Sequence, residues 1–368
     1  MLYSSWTSIG SRPRRCLVAM LLATLALSGC RDKTPVILNQ LDAFGTEVDL
    51  SLVGVSKEQA QQASAIVAQD FAFLERDWTA GSFGQLDRVN RLLATGESFV
   101  APPSLQPLLR RCKDYENRSH GLFNPGLGKL MELWGFRGDS PTGQAPPSAQ
   151  AIAQLVEAKP SLEQLEIQGL RLKATNPQLA LDLTPIARSY AIDLAMKHLM
   201  DLGIRNAMIQ AGGELRAIGD RSGQPWRIPI RRASGSGVFA IVSVRGDESV
   251  VTRAAYDRNF IFKGKLYPAI IDPRTGWPAD QVRSATVVQD SAAAAAATAT
   301  ALFVAGPERW PKIAQQMDAR YVVLIDMAGR VHMTQAMADR IELVDSREEI
   351  LIPGDAIAGL TNPAGADL

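Results

Sequence analysis

The residues best placed to do chemistry lie between Tyr267 and Pro278, in the stretch YPAIIDPRTGWP. Ile270 and Ile271 bring an apolar run to Asp272, Pro273 fixes φ, and Thr275–Gly276 closes a tight polar turn. A carboxylate, the Arg274 guanidinium, a hydroxyl and free backbone N–H groups fall together there, which suits a phosphate or a metal-bound anion. The same residues also suit an ordinary turn around an internally satisfied Asp–Arg pair. A second stretch, GLFNPGLGKLMELWGFRG, sets Gly121, Gly126 and Gly128 around Asn124–Pro125. Its glycines permit close backbone approach, either to a ligand or within a loop packed over the core. A third is Asp182-Leu183-Thr184-Pro185, which ends a strand expected over Leu179–Leu183. Thr184 is the expected N-cap and Pro185 the first residue of the following helix, and such a strand-to-helix junction is a ready anion site.

Other reactive side chains contribute less. His120, His198 and His332 lack metal-ligand spacing, and no Ser–His–Asp arrangement is readable. Cys16 and Cys30 belong to the N-terminal segment, which leaves Cys112 without a disulfide partner, a structural thiol in an expected helix.

The elements that must position these residues follow from periodicity and caps. Glu47–Val53 alternates as a half-buried strand, and Ser56 caps a helix that runs to about Arg76. Ser104 caps a second helix, which stops at His120–Gly121. A polar linker over Gly138–Ser148 leads to a surface helix at Ala149–Ala158. The helix after Pro185 stops at Gly203, and a strand over Arg205–Gln210 ends in Gly212-Gly213-Glu214. Extended runs surround Trp226, Phe239 and Val250, and a hairpin turns at Lys263–Gly264. Arg283–Val288 feeds Ser291, the cap of an Ala-rich helix; a last helix near Gly306–Met317 and a hairpin at Ala328–Gly329 follow. The pattern is α+β, antiparallel strands with helices inserted between them.

Composition sets the outer bounds. Hydrophobic content of 46% and charged content of 21% are those of a globular protein, and a formal net charge of +1 gives no reason to expect a nucleic-acid partner. Residues 1–29 read as a signal peptide: Arg12, Arg14 and Arg15 precede an apolar run from Cys16 to Leu27. That run is shorter than the ~20 residues a membrane span needs. Leu27-Ser28-Gly29-Cys30 reads as a lipoprotein processing site, with Cys30 lipidated and the chain held on the periplasmic side of a bacterial membrane. Arg31 after the cysteine points to the outer membrane of a Gram-negative host. The domains expected are the signal peptide 1–29, a tether 30–40, one folded domain 41–345 and a disordered tail 346–368.

Over residues 40–335 the chain resembles the ApbE family of FAD:protein FMN transferases. GLFNPGLGKLMELWGF is similar to the family's G-x-F-D-P-x-x-G…LWGF, and DLTPIARSYAID to D-L-S-G-I-A-K-G-Y-A-V-D. AMIQAGGELRAIG corresponds to the N-L-G-G-D/E turn, and YPAIIDPRTGWP to Y-S-H-I-I-D-P-R-T-G-Y-P. The resemblance implies an α+β fold of the T-fold kind and cleavage of FAD with Mg²⁺. It implies that FMN is left on a Thr or Ser of an exported redox protein. Mapped by motif, it places Leu122, Phe123 and Asn124 along the flavin, Asp182 and Arg188 toward the adenosine and phosphates, and Asp272, Arg274 and Thr275 at the base of the site. Thr300 falls on the metal side.

The departures bear on the chemistry. The family's His before I-I-D-P-R-T-G is Ala269, so no catalytic residue is carried over. Its metal-binding Asp, four residues before the Thr, is Ala296, and Asp in F-D-P is Asn124. A-K-G becomes Ala187-Arg188-Ser189, S-G becomes Thr184-Pro185, and T-S-G-D/N-Y becomes Thr252-Arg253-Ala254-Ala255-Tyr256. Loss of a carboxylate removes a ligand and a charge from a Mg²⁺ site. Asp290, Glu214 or Asp272 are the candidate replacement oxygens, and Arg253 or Arg274 the candidate phosphate holders. Three readings stay open: a transferase with a rebuilt site, a degenerate relative that binds FAD or a partner without transfer, and a tethered scaffold with no ligand.

Overall fold

Alternating apolar residues build a central sheet in which nine strands lie side by side in chain order. In a computed structural model that describes residues 35–79, 84–137, 145–232, 236–344 and 348–353, these strands are β1 (Val36–Ala43), β2 (Thr46–Val53), β3 (Ala207–Ala211), β4 (Glu214–Ile218), β5 (Glu248–Ala254), β6 (Val282–Gln289), β7 (Tyr321–Asp326), β8 (Val331–Met333) and β9 (Ile350–Leu351). Neighbours pair antiparallel except β8 and β9, which are parallel. β1 begins within the expected tether and ends in the expected domain, and β9 lies in the expected tail, so both edges of the sheet reach into segments expected outside the folded domain. The expected signal peptide, Cys30, residues 138–144 of the linker and the tail beyond Pro353 lie outside the described residues.

Both faces of the sheet are buried. Val48, Leu50, Ile209, Val287 and Leu324 pack under helices, while Val250, Val288 and Val323 meet Trp226, Ile228 and Phe239 of a small three-stranded sheet. The helices are α1 (Lys57–Trp78), α2 (Gln85–Leu93), α3 (Leu105–Arg118), α4 (Gly128–Leu133), α5 (Ala149–Glu157), α6 (Ala187–Asp201) and α7 (Ala292–Gln316). This is the α+β arrangement read from the sequence.

Side-chain caps set the starts of α1, α5 and α7. Ser56 and Gln59 form a reciprocal capping box at α1. Ser291 accepts the Ala294 N–H at α7, and the Asp193 carboxylate of α6 accepts from Ser291 Oγ and from the N–H groups of Ala292 and Ala293. The buried alanines of α7 let it lie close over the sheet, and Gly306 (φ 78°, ψ 175°) breaks its axis before Pro307. Ser104 does not cap α3 with its side chain; its hydroxyl donates to Asp77 Oδ2 at 2.6 Å.

The third segment departs from expectation. Leu179–Leu183 is extended but forms only an isolated bridge, Ala180 to Leu127, rather than a strand. Its backbone hydrogen bonds go elsewhere. Asn90 takes both the Leu181 N–H and the Leu181 carbonyl, and Pro125 O accepts the Asp182 N–H. Thr184 is not the N-cap: its N–H and hydroxyl both donate to Asp182 Oδ1, and α6 begins only at Ala187. Gly126 and Gly128 are small for the same reason. A Cβ at 128 would stand 2.7 Å from Ala180 O, and one at 126 would stand 2.8 Å from Leu179. The close approach read from these glycines is made to the chain's own 179–181 segment.

Candidate functional site

Ala296, Thr300 and Val304 follow one another at four-residue spacing and share one face of α7. Thr300 Oγ1 donates back to Ala296 O at 2.8 Å, and Arg253 Nε lies 3.4 Å from that hydroxyl. Arg253 stands on β5 two residues beyond Val251, which pairs with Glu214 at the start of β4, so Arg253 and Glu214 share a face. Gly213 O accepts the Thr252 N–H at 2.8 Å, which draws the Gly212–Glu214 turn against β5, and a Cβ at 213 would crowd Thr252 O at 3.0 Å.

Glu214 is the centre of this cluster and is 1% exposed. Its Oε1 accepts from Arg188 Nη2 at 2.8 Å and from Arg253 Nη1 at 2.6 Å, and its Oε2 accepts from Ser189 Oγ. Burial alone would push this carboxyl up, but the Arg188 and Arg253 guanidinium groups hold it down at about 2. Arg253 Nη2 also donates to Pro185 O at 2.6 Å, which ties the 182–188 segment to the sheet. Asp257 completes the group. Burial pushes its carboxyl up, against the pull of Arg253 and the Ala254 N–H it accepts. Arg188 Nε is buried with no hydrogen-bond partner among the described residues.

One helical turn along α7 lies the Asp272–Gly276 turn. Arg274 donates to both Asp272 oxygens and, through Nη2, to Val304 O at 3.1 Å. Thr275 Oγ1 accepts the Trp277 N–H. Gly276 has φ 72°, and a Cβ there would stand 2.6 Å from both Ile152 and Val156; its carbonyl accepts the Trp134 Nε1–H at 2.8 Å. The turn therefore holds a satisfied Asp–Arg pair and anchors the aromatic cluster of Trp134, Phe136, Phe260 and Tyr267. Two cavities of about 310 and 350 Å³ open beside it, both lined by Asp272, Arg274 and Thr275. Their position and that of the buried arginine cluster differ. Arg188 is paired with Glu214 as Arg274 is with Asp272, but Arg188 also keeps a buried Nε–H without a hydrogen-bond partner among the described residues, a feature that suits an anion there.

The other predicted site residues divide. Arg188 belongs to the cluster and Thr300 touches it, while Asp182 holds Thr184 in the segment whose Pro185 carbonyl Arg253 binds. Leu122 and Phe123 do not line an open site: they are 7% and 0% exposed and pack in the core. Asn124 binds Pro160 O and the Gly126 N–H, which fixes its own loop. Ala269 packs at the edge of the aromatic cluster, and its N–H donates to Arg258 O. The histidines pair with Gln316, Asp70 and Asp326, away from the cluster. Cys112 is buried and its thiol is pushed up by that burial. Sequence reasoning missed Ser189 and the double pairing of Glu214; a Glu after Gly-Gly with arginines at the matching motif positions was the available signal.

These residues do not fit a Mg²⁺ ion. Mg²⁺ needs oxygen ligands with carboxylate charge, yet Ala296 presents a buried methyl group. Glu214 has both oxygens engaged, so it is not the replacement ligand. Asp272 is held by Arg274, and Asp290 is exposed beyond the N-terminus of α7. Among the described residues no group of three or more His, Cys, Asp or Glu side chains could hold a metal.

Residues 44–325 match the model of the ApbE family. An FAD:protein FMN transferase of Rhodobacter capsulatus is 39% identical over 84% of this chain and 59% of its own length. One of Vibrio cholerae is 32% identical over 63% of this chain and 69% of its own. The chain thus spans less than two thirds of the Rhodobacter protein. Among solved structures, the apo flavinyl transferase ApbE of Pseudomonas stutzeri superposes with a TM-score of 0.72 at 28% identity, covering 84% of this chain and 98% of that one. The ApbE protein of Thermotoga maritima gives 0.75 at 24% identity, with 83% and 99% covered.

Proposed function

The chain belongs to the ApbE family, and from that membership we propose that it is an FAD:protein FMN transferase. FAD is its substrate, and a Thr or Ser of an exported redox protein is the acceptor. The acceptor hydroxyl oxygen forms a bond to the phosphorus of the FMN half, the phosphoanhydride bond breaks, and AMP leaves with the bridging oxygen. The hydroxyl proton passes to solvent, since the family's His position is Ala269. Without a general base the reaction is slower by roughly 10²–10⁴, and charge compensation by positioned groups carries what remains.

The observation that carries this reading is the buried Arg188–Glu214–Arg253 cluster with its unpartnered Arg188 Nε–H. Two guanidinium groups share the Glu214 carboxylate, and burial works against ionisation of the neighbouring Asp257, so positive charge is concentrated where a diphosphate can be received. Glu214 stays ionised because of its partners and fixes both arginines in place. A Mg²⁺ ion, when bound near a diphosphate, neutralises charge; here that task falls to arginines. An exported, lipid-anchored location on the periplasmic side, at the outer membrane in a Gram-negative host, is part of the same proposal; the basic and apolar run of residues 1–29 and the Leu27-Ser28-Gly29-Cys30 sequence support it.

A second reading, FAD binding without transfer, is favoured by the alanines at 269 and 296. Mass spectrometry decides between them. The purified chain is incubated with FAD and a peptide that carries a Thr acceptor, and an FMN-sized addition is expected. FAD that binds without addition selects the second reading, and neither binding nor addition leaves a scaffold without a ligand. Asp182→Ala is expected to abolish flavin retention, because it frees the Thr184–Pro185 segment; unchanged retention contradicts that placement.

A further inference from the structure

We propose that the guanidinium of Arg253 stands in the place of a divalent cation at α7, so that this chain handles its diphosphate substrate without a metal there. The geometry is that of a cation site with the cation built in. Pro185 O, Glu214 Oε1 and Thr300 Oγ1 come from three separate segments, and all three converge on one guanidinium, at 2.6, 2.6 and 3.4 Å. These are hard oxygen donors of the kind Mg²⁺ takes.

Charge makes the exchange coherent. A carboxylate at 296 with a divalent cation carries a local charge of one positive unit. Alanine at 296 with arginine at 253 carries the same. The methyl group of Ala296 sits fully buried one helical turn from Thr300, on the face the guanidinium touches. A metal ion added to the present arrangement would meet two guanidinium groups and one carboxylate already shared between them. Like charges a few ångströms apart repel strongly inside a protein, and a dication doubles the repulsion of a unit cation. The site is therefore closed to a metal for electrostatic reasons.

Arginine can also take over the ligand side of the task. A guanidinium has five N–H groups in a planar fork that matches phosphate oxygens. Among the described residues three of them are engaged, one each on Nε, Nη1 and Nη2. The second hydrogen on each terminal nitrogen remains for a ligand, beside Arg188 Nε. The identity of the substrate rests on the transferase reading; the cation's placement does not.

Two titrations test the inference. In the first, Mn²⁺ alone is added to the purified chain and followed by electron paramagnetic resonance. The parent is expected to show no stoichiometric site, and Arg253→Ser/Ala296→Asp to gain one. A single saturable site in the parent that Thr300→Val removes would overturn the proposal, and this arm stands even if the double variant does not fold. In the second, FAD is titrated with EDTA or with Mg²⁺ present. Equal affinity in both buffers is expected, with Arg253→Met weaker by roughly tenfold or more and Arg253→Lys between the two. Binding that requires Mg²⁺ would overturn it. FAD bound in neither buffer rejects the transferase reading instead, and the Mn²⁺ titration then decides the cation's placement by itself.

Discussion

Arg253 and Arg274 reach the same helix one turn apart, at Thr300 and at the Val304 carbonyl, yet their surroundings differ. Arg274 closes a pair with Asp272 two residues away, and its side chain is 40% exposed. Arg253 is 12% exposed and joins residues from three other segments through Glu214, Pro185 and Thr300. The DPRTG turn matches its family motif residue for residue and is complete within itself. The cluster around Glu214 departs from the motifs at Arg188, Ser189, Arg253 and Ala296 and has been reassembled as one unit. The faithful motif is paired within itself, whereas the altered positions gather buried charge from separate segments.

The comparison breaks most readily at Glu214. Glu214→Ala leaves two buried guanidinium groups without their carboxylate, and a loss of about 3–5 kcal/mol in urea unfolding is expected. A loss no larger than that of an exposed pair would make the two regions equivalent. Next is the turn itself: Gly276→Val must hold φ 72° and push into Ile152 and Val156. About 2–4 kcal/mol is expected from strain and overpacking together, with Trp134 fluorescence reporting the displaced aromatic cluster.

Titration separates buried charges by sign. Glu214 is held down at about 2, so its contribution is present above the ordinary carboxylate value of 4.5 and is lost as pH falls toward 2. Glu116 is the opposite case, since burial pushes it up to about 7 while its carboxylate accepts the Leu162 N–H. Its contribution is present below 4.5 and is lost as pH rises through 7. Glu116→Gln is expected to flatten the fall in melting temperature between these values, by up to ~3 kcal/mol in stability. A parent whose stability does not change over that range would contradict the assignment. The smallest effect belongs to the exposed pair: Arg274→Ala is expected to cost under about 1 kcal/mol, measured by the same unfolding experiment.

Legibility in the sequence followed the distance between partners. The Asp272–Arg274 pair, the Ser56 and Ser291 caps and the Lys263–Gly264 hairpin were readable because each is completed within a few residues. Leu179–Leu183 has the composition of a strand, but Asn90, which lies 91 residues from Leu181, takes its hydrogen bonds. Nothing local announces that. Thr184 has the chemistry of a cap, yet Asp182 claims it first. Glu214 read as a candidate replacement oxygen and Asp193 carried no reading of its own, whereas Glu214 locks two arginines and Asp193 caps α7 from 98 residues away. Alternation placed β2 correctly, while β1 and β9 were missed because their flanks read as tether and tail.

The most direct test compares the two arginines in one experiment. FAD is titrated against the parent, Arg253→Met and Arg274→Met, with flavin fluorescence as the readout and EDTA present throughout. If the buried cluster receives the diphosphate, Arg253→Met weakens binding by roughly tenfold or more while Arg274→Met stays close to the parent. The reverse order, with Arg274 dominant, would place the flavin in the cavities beside the DPRTG turn and contradict the role assigned to the cluster.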